Sequence, residues 1–420
     1  MYSQKDHRYI WHPFQAYAPE ANQIEVLKGK AEFLYDNNGK SYIDAISSWW
    51  VNIHGHTHPY INQKIAEQLA ELEHVIFSGF THKPAIDLAE KLVQWNGGDG
   101  KIFFSDNGST AIEIALKMAI QYRHNKHESK PVFWAFEGSY HGDTFGSMSV
   151  SERDVFTHTF RNYLFDVTFF PLPNAQNIGD ILGEMQKLAA RQNVGAFIYE
   201  PLVQGAGGMR MYKPELLQSI LELCRNHEIL TIADEVMTGF YRTGKKWASD
   251  YMAFRPDFVC MSKAITGGYL PLGATWIAPQ ILECFQSSEP EKTFYHGHSF
   301  TGNPISCAAA NASIELLENA SVQETIQELG FKLESMAADW AKNPLLSDVR
   351  CRGNILAADV KLPHEGYFYN HPVQSDLKQK ALDAGILLRP MGNVIYIIPP
   401  YCISDESLHK INSFVCNLTL

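Results

Sequence analysis

The sequence lacks any stretch approaching the roughly 20 apolar residues that a membrane-spanning helix needs. It also lacks positive charge: 35 Lys and Arg against 46 Asp and Glu leave a formal net charge of -11. Such a surface repels phosphate backbones, which excludes nucleic acid as an expected partner, and it suits a solvated protein better than a membrane-surface one. No internal repeat, low-complexity tract or Pro/Ser linker is present, so repeat and linker architectures are set aside. Cysteine is sparse. The seven (Cys224, Cys260, Cys284, Cys307, Cys351, Cys402, Cys416) are scattered, odd in number and without a C-x-x-C pair. They read as buried, non-catalytic free thiols in a reducing compartment. The opening MYSQKDHRYIWHPF shows no basic-then-apolar signal pattern. The expectation is a soluble, cytoplasmic protein.

Several motifs are incomplete. GFYRTGKK (239–246) ends on Lys246 where a phosphate loop needs a hydroxyl for magnesium. GAGGMR (205–210) puts Arg210 where a dinucleotide fingerprint needs its third glycine. His54, His56 and His58 in HGHTH would share one face of a strand, but no carboxylate or cysteine cluster supports them as metal ligands, so no metal is expected. No G-x-S-x-G elbow appears either.

What is present is an alternation. KIFFS (101–105), PVFWAF (131–136), GAFIYE (195–200), ILTIADE (229–235), DFVCMS (257–262) and GATWIA (273–278) read as short buried strands. Helix-period segments stand between several of them, GSTAIEIALKMAIQY (108–122) and PELLQSILELCRNH (214–227) being the clearest. Strands alternating with helices predict an α/β fold with a parallel, doubly wound sheet. Their continuous hydrophobicity predicts burial on both faces. At 420 residues two domains are the default. We place a large α/β domain at about 51–310 and a smaller α+β domain at 311–420. The first 50 residues, with a hairpin signal turning at Asn38-Gly39, are expected to pack on the small domain.

The chemistry converges on Lys263, which follows the DFVCMS strand and precedes Thr266, Gly267 and Gly268. Strand interiors exclude lysine, because burying an unpaired ammonium is costly. A lysine held neutral at a strand end can instead attack an aldehyde and form a Schiff base, burial having lowered its pKa. Pyridoxal phosphate is the cofactor that uses such a lysine, and it needs an acid at its ring nitrogen, an anion site and a flat cover. Asp234 ends the ILTIADE strand and suits the first role, although a strand-end ion pair is the plainer reading of it alone. Gly108 and Ser109 open a helix directly after a strand, where backbone N–H groups bind phosphate, or where Asn107 or Ser109 simply caps the helix. Tyr140, between glycines in EGSYHGDTFG, could cover the ring.

ADEVMTGFYRTGK followed by SKAITGG resembles the class III, fold-type I pyridoxal-phosphate aminotransferases, as do IWHPF, SSWWVNIHGH, YHGDTFGSMSV, EPLVQGAGGMRMY, HGHSFTGNP and LLRP. The resemblance spans nearly the whole chain. It implies a large domain with a mostly parallel sheet, a small α+β domain, and a homodimer with two shared sites. It implies Lys263 as the Schiff-base and proton-transferring lysine, Asp234 at the pyridine nitrogen, and Gly108, Ser109 and the other subunit's Ser299 at the phosphate. Tyr140 would cover the ring, and Trp49, Trp50, Phe14 and Gly297 would touch substrate. Two adjacent tryptophans on a strand face opposite sides, so one is left for a pocket wall. Arg389 would clamp the substrate carboxylate with two hydrogen bonds. Arg242 could be purely structural.

Ala206 and Met237 stand where glutamate-using members carry Glu and Gln, which disfavours that branch. The implied reaction is amination of 8-amino-7-oxononanoate to 7,8-diaminononanoate in biotin synthesis, by a ping-pong route with S-adenosylmethionine as donor. Phe14 and HGHSFTGN are similar to lysine-donating members, so lysine is the alternative donor. Another class III omega-transamination, racemisation and a non-catalytic phosphate-binding module are the competing readings.

Overall fold

The structure is a computed structural model that describes residues 2–15, 23–129, 131–154, 156–362 and 372–419. Its centre is a seven-stranded sheet. In chain order the strands are Lys101–Ser105 (β1), Val132–Phe136 (β2), Val167–Phe170 (β3), Val194–Tyr199 (β4), Leu230–Asp234 (β5), Phe258–Met261 (β6) and Gly273–Ile277 (β7). In space they run β1-β7-β6-β5-β4-β2-β3. Every residue of β4, β5, β6 and β7 is buried. Both faces are covered, which is why these segments read as unbroken apolar runs.

Two features of the sheet depart from the reading of strand alternation alone, while the mostly parallel sheet that the resemblance implies is borne out. GATWIA forms β7 antiparallel to both β6 and β1, while the other neighbouring pairs are parallel, so the sheet is mostly parallel and not wholly so. The reversal follows from chain length: β6 and β7 are joined by the Ser262–Leu272 connection, which is too short for a parallel crossover of a dozen or more residues. The edge strand β3 carries no strong period and was not anticipated.

The Gly108–Asn125 helix lies against the sheet, with Thr275 Oγ1 on β7 donating to the Ala111 carbonyl (2.8 Å). The helical stretch after 303 is two helices, Pro304–Glu318 and Ala320–Trp340, interrupted at Asn319, whose backbone is extended (φ -71°, ψ 126°) and whose side chain caps the second. The hairpin forms as expected: Phe33–Asp36 and Ser41–Asp44 pair antiparallel, and Gly39 in the turn has φ +82°. Ser41–Asp44 pairs on its other side with Ile386–Leu387, tying residues near the start of the chain to residues near its end. Leu346–Arg352, Ile355–Val360 and Val394–Ile397 make a separate antiparallel sheet.

All seven cysteines are free, but only Cys224, Cys260 and Cys307 are buried; Cys284, Cys351 and Cys416 are partly buried and Cys402 is exposed. The expectation of seven buried thiols is corrected there, since scatter along a sequence does not report depth.

Candidate active site

The parallel strands deliver their chemistry at one end. Glu200 follows β4, Asp234 is the last residue of β5, and Lys263 comes two residues after β6. Ligands of open α/β sheets sit outside the carboxyl ends of the strands, and here a cleft of about 710 Å³ opens there.

Lys263 has a positive φ (+46°), a conformation that strains a non-glycine residue, and a short 3-10 turn follows it. Gly267 (φ +64°) ends that turn and Gly268 (φ +85°) continues it; a Cβ on Gly268 would lie 2.9 Å from Asn52 Cγ and the Val51 carbonyl carbon. The glycines after the lysine are therefore required by backbone conformation and by space. The Lys263 ammonium lies 4.4 Å from the centroid of the Trp50 ring. Burial lowers its pKa to about 8, opposed by the charges of Asp234 and Glu200. By surface accessibility the whole residue is only half-buried, because its side chain faces the cleft.

Asp234 is buried and held at both oxygens: Oδ1 accepts the Val236 amide (3.1 Å), and Oδ2 lies 2.7 Å from Nδ1 of His141. Glu200, also buried, accepts the amides of Tyr140 (3.0 Å) and Gly205 (2.8 Å). Burial raises its pKa to about 7, and the nearby Asp234 charge adds to the rise while His141 opposes it. Neither His141 nor Glu200 was singled out in the sequence. Each carried a signal: His141 follows Tyr140 in the Gly-rich loop, and Glu200 ends a buried strand as Asp234 does.

At the start of the Gly108–Asn125 helix, Asn107 caps the Thr110 amide (3.0 Å), so the capping reading holds for Asn107. The amides of Gly108 and Ser109 have no acceptor among the described residues, and both residues line the cleft. The Ser109 hydroxyl pairs with Thr144 Oγ1 (2.7 Å), whose own proton goes to Glu113 Oε1 (2.6 Å). Gly142 (φ +129°) passes so close that a Cβ would stand 2.4 Å from Ser109 Oγ. The loop can approach the helix end only as glycine.

SSWW does not form the expected strand. It is a tight turn in which Ser47, Ser48 and Trp50 have φ of +49°, +59° and +70°. Asp44 holds it, accepting the Ser48 amide (2.8 Å) and hydroxyl (2.7 Å) and pairing with His56 Nε2 (2.9 Å). The turn, and not strand alternation, separates the tryptophans. Trp50 is buried against Lys263 and donates to the Tyr396 hydroxyl (3.1 Å). Trp49, Phe14 and Arg389 are not among the residues lining the cleft but cluster with one another: Arg389 stacks on the Trp49 ring at 3.7 Å and Phe14 meets it edge-on at 5.4 Å. No carboxylate pairs with Arg389 among the described residues. Phe156 links this cluster to Tyr140, which does line the cleft, its ring 5.9 Å from Phe14 and 6.1 Å from Tyr140. Ala206 and Met237 also line the cleft.

Other sequence candidates fall elsewhere. Gly297 and Ser299 are exposed and do not line the cleft of this chain. Arg242 is wholly buried, donating to the Pro399 carbonyl (2.6 Å) beneath the Tyr401 ring. HGHTH is a loop and not a strand: His54 meets Ser313 (3.1 Å) while His56 meets Asp44.

Comparison with known proteins decides the family. The Aminotransferase class-III profile matches residues 16–416.

The chain belongs to the class-III aminotransferases.

As such it is an α/β enzyme of the pyridoxal-phosphate-dependent transaminase kind. It is 44% identical over 424 residues to an adenosylmethionine-8-amino-7-oxononanoate aminotransferase of Synechococcus elongatus, covering 98% of each chain. Its fold superposes with a TM-score of 0.92 on the crystal structure of the enzyme of that name from Methanocaldococcus jannaschii, at 32% identity and covering 99% of this chain and 97% of that one. An amine transaminase from an uncultivated Pseudomonas species, solved in its PLP-bound form, superposes with a TM-score of 0.90 at 29% identity, covering 97% of both chains.

Proposed function

We propose that this class-III aminotransferase converts 8-amino-7-oxononanoate to 7,8-diaminononanoate, with S-adenosylmethionine as amino donor and pyridoxal phosphate as cofactor. The observation that carries the reading is one cleft lined by Lys263, Asp234, Gly108 and Ser109, the amides of the last two having no acceptor among the described residues. An amine, a carboxylate and two free N–H donors are the groups that this cofactor's aldehyde, ring nitrogen and phosphate require. The relatives' names supply the substrate.

When bound, pyridoxal phosphate supplies an electrophilic carbonyl and a ring that takes up an electron pair. The chain's residues do the rest. Lys263 Nζ, part-neutral near neutral pH, holds the cofactor; freed by the donor's amine, it takes a proton from the donor carbon and returns one in the second half-reaction. Asp234 keeps a proton on the ring nitrogen. Gly108 and Ser109 bind the phosphate through their amides. Tyr140 covers the ring, and Trp50 shields the Lys263 amine from water. Trp49 and Phe14 flank the substrate chain while Arg389 takes its carboxylate.

Lysine is the alternative donor, favoured by Phe14, which brings no hydroxyl to the cluster around Trp49. The enzyme works as a homodimer in the cytoplasm, with Gly297 and Ser299 serving the second copy's cleft. The neighbouring Tyr295 and Phe300 are 73% and 62% exposed, apolar surface that a partner would cover. The seven free cysteines suit a reducing compartment.

The test is product analysis by mass spectrometry with 8-amino-7-oxononanoate and each donor separately. Diaminononanoate formed with adenosylmethionine supports the proposal. Product with lysine alone moves the donor, and no product with either rejects the substrate. Analytical ultracentrifugation reads the dimer directly.

A further inference from the structure

We infer that His141 is a positioning residue for Asp234, its imidazole fixing how that carboxylate meets the cofactor's ring nitrogen. The inference rests on the reading that Asp234 faces that nitrogen.

Asp234 has two restraints of different kinds. The Val236 amide comes from two residues further along the same backbone and tethers Oδ1 locally (3.1 Å). His141 comes from the loop after β2, and its Nδ1 is 2.7 Å from Oδ2. A carboxylate oxygen accepts, so Nδ1 carries the hydrogen. Both side chains are buried, 0% exposed for His141 and 6% for Asp234, so water does not compete for the bond. The backbone that carries the imidazole is anchored too: the His141 amide donates to Ser151 Oγ (2.9 Å), and Ser151 Oγ donates to the Ser147 carbonyl (2.8 Å).

Among the described residues the His141 ring has one polar partner, Asp234, and an unused nitrogen. Its Nε2 is buried without a hydrogen bond among the described residues. Burying an unpaired polar atom costs free energy that an apolar ring of similar size would avoid. The bond to Asp234 is therefore what the imidazole contributes. Its work is directional. Lys263 carries the opposite charge across the cleft and attracts Asp234, and a carboxylate tethered only through Val236 could turn toward it. Held from a second side, Asp234 keeps its orientation whether Lys263 is charged, neutral or displaced.

Three full-length variants test this by titration with pyridoxal phosphate: Asp234→Asn, His141→Leu and His141→Asn, whose amide N–H occupies the Nδ1 position. Outer-sphere hydrogen-bond partners at metal sites change affinity by about 10- to 100-fold, and a loss of that order in cofactor affinity is expected for His141→Leu. The pH midpoint of its visible absorbance should also shift, and His141→Asn should recover most of both. Unchanged affinity and midpoint in His141→Leu, with loss in Asp234→Asn, would overturn the inference. So would a His141→Asn variant that regains melting temperature without regaining affinity, because His141 would then be merely structural. Unchanged binding in Asp234→Asn would instead reject the underlying reading of Asp234. Should His141→Leu fail to fold, proton NMR of the unsubstituted protein decides: a carboxylate-bonded histidine N–H signal lost in both Asp234→Asn and His141→Asn supports the bond, and no such signal overturns it.

Discussion

The Lys263 ammonium and the Trp50 indole are in direct contact, 4.4 Å from nitrogen to ring centroid. The indole is held from its far end by Tyr396, whose hydroxyl accepts Trp50 Nε1–H at 3.1 Å. A cation over an aromatic face is attracted to it, which favours the charged amine. Burial favours the neutral one and, against the opposing charges of Asp234 and Glu200, brings the lysine to about 8.

That balance predicts how the protein takes up its cofactor. In the proposed role of Lys263 the neutral amine is the nucleophile, so the rate of pyridoxal phosphate uptake by the cofactor-free protein should rise with pH through a midpoint near 8. Stopped-flow absorbance measures it; a midpoint near the ordinary lysine value of 10.5 would contradict the burial argument. The stability sign follows. Between about 8 and 10.5 the unfolded chain binds the proton and the folded one does not, so Lys263 makes stability rise with pH across that window. Lys263→Ala should abolish the visible band, lower turnover by about 10²–10⁴-fold or more, and remove this rise.

Glu200 has the opposite sign. Its pKa is raised from 4.5 to about 7, so the folded state binds the proton more tightly than the unfolded state. Stability attributable to Glu200 therefore falls as pH rises from 4.5 to 7. Glu200→Gln removes that slope but offers one acceptor to two amides, leaving one N–H unpaired at a cost of about 1–3 kcal/mol. Urea denaturation of both proteins at several pH values should show a shallower decline in the variant. An identical pH slope would reject the raised pKa.

Arg389 is predicted to act on binding more than on chemistry. Its guanidinium is stacked on Trp49 and has no carboxylate partner among the described residues, so it is available to a substrate carboxylate. Arg389→Ala should raise KM for the carboxylate substrate by about 10- to 100-fold, the equivalent of a lost charged hydrogen bond. Arg389→Lys should recover little of it, since an ammonium neither forks nor stacks as a guanidinium does. Steady-state kinetics separate the terms; a fall in kcat at constant KM would reject the clamp.

Gly142→Ala should disturb the helix end proposed to bind phosphate. The added Cβ would fall 2.4 Å from Ser109 Oγ at a φ of +129°. A destabilisation of about 1–3 kcal/mol is expected from the backbone strain alone. Cofactor affinity should fall with it. Thermal unfolding with and without pyridoxal phosphate checks both, and an unaffected affinity would mean that this loop can retreat at no cost to the site.

Much of this was legible because the strands are short, buried on both faces and each bounded by a glycine, a polar residue or a helix start. Lys263 and Asp234 stood out as charges at the ends of apolar runs, which the cost of burial makes conspicuous. β7 was legible as a strand but not in its direction, because hydrophobicity along a strand is the same read either way. His141 and Glu200 were less visible. His141 meets Asp234 and Glu200 meets the Tyr140 amide across 93 and 60 positions of the chain, and nothing in a local pattern records those meetings.

Local chemistry written in the sequence determined the strand cores, the helix starting at Gly108, the turn at Asn38-Gly39 and the lysine at a strand end. Each depends on a residue's own propensity or on immediate neighbours. The tertiary structure decided which residues meet in and around the cleft: Trp50 over Lys263 with Tyr396 behind it, Trp49 beneath Arg389, and His141 against Asp234. Those pairs lie 213, 346, 340 and 93 positions apart, counting Trp50–Lys263, Trp50–Tyr396, Trp49–Arg389 and His141–Asp234 in the numbering of the chain. Only packing of the whole chain brings such distant positions together, and with them come the desolvation and the charges that move the pKa values of Lys263 and Glu200.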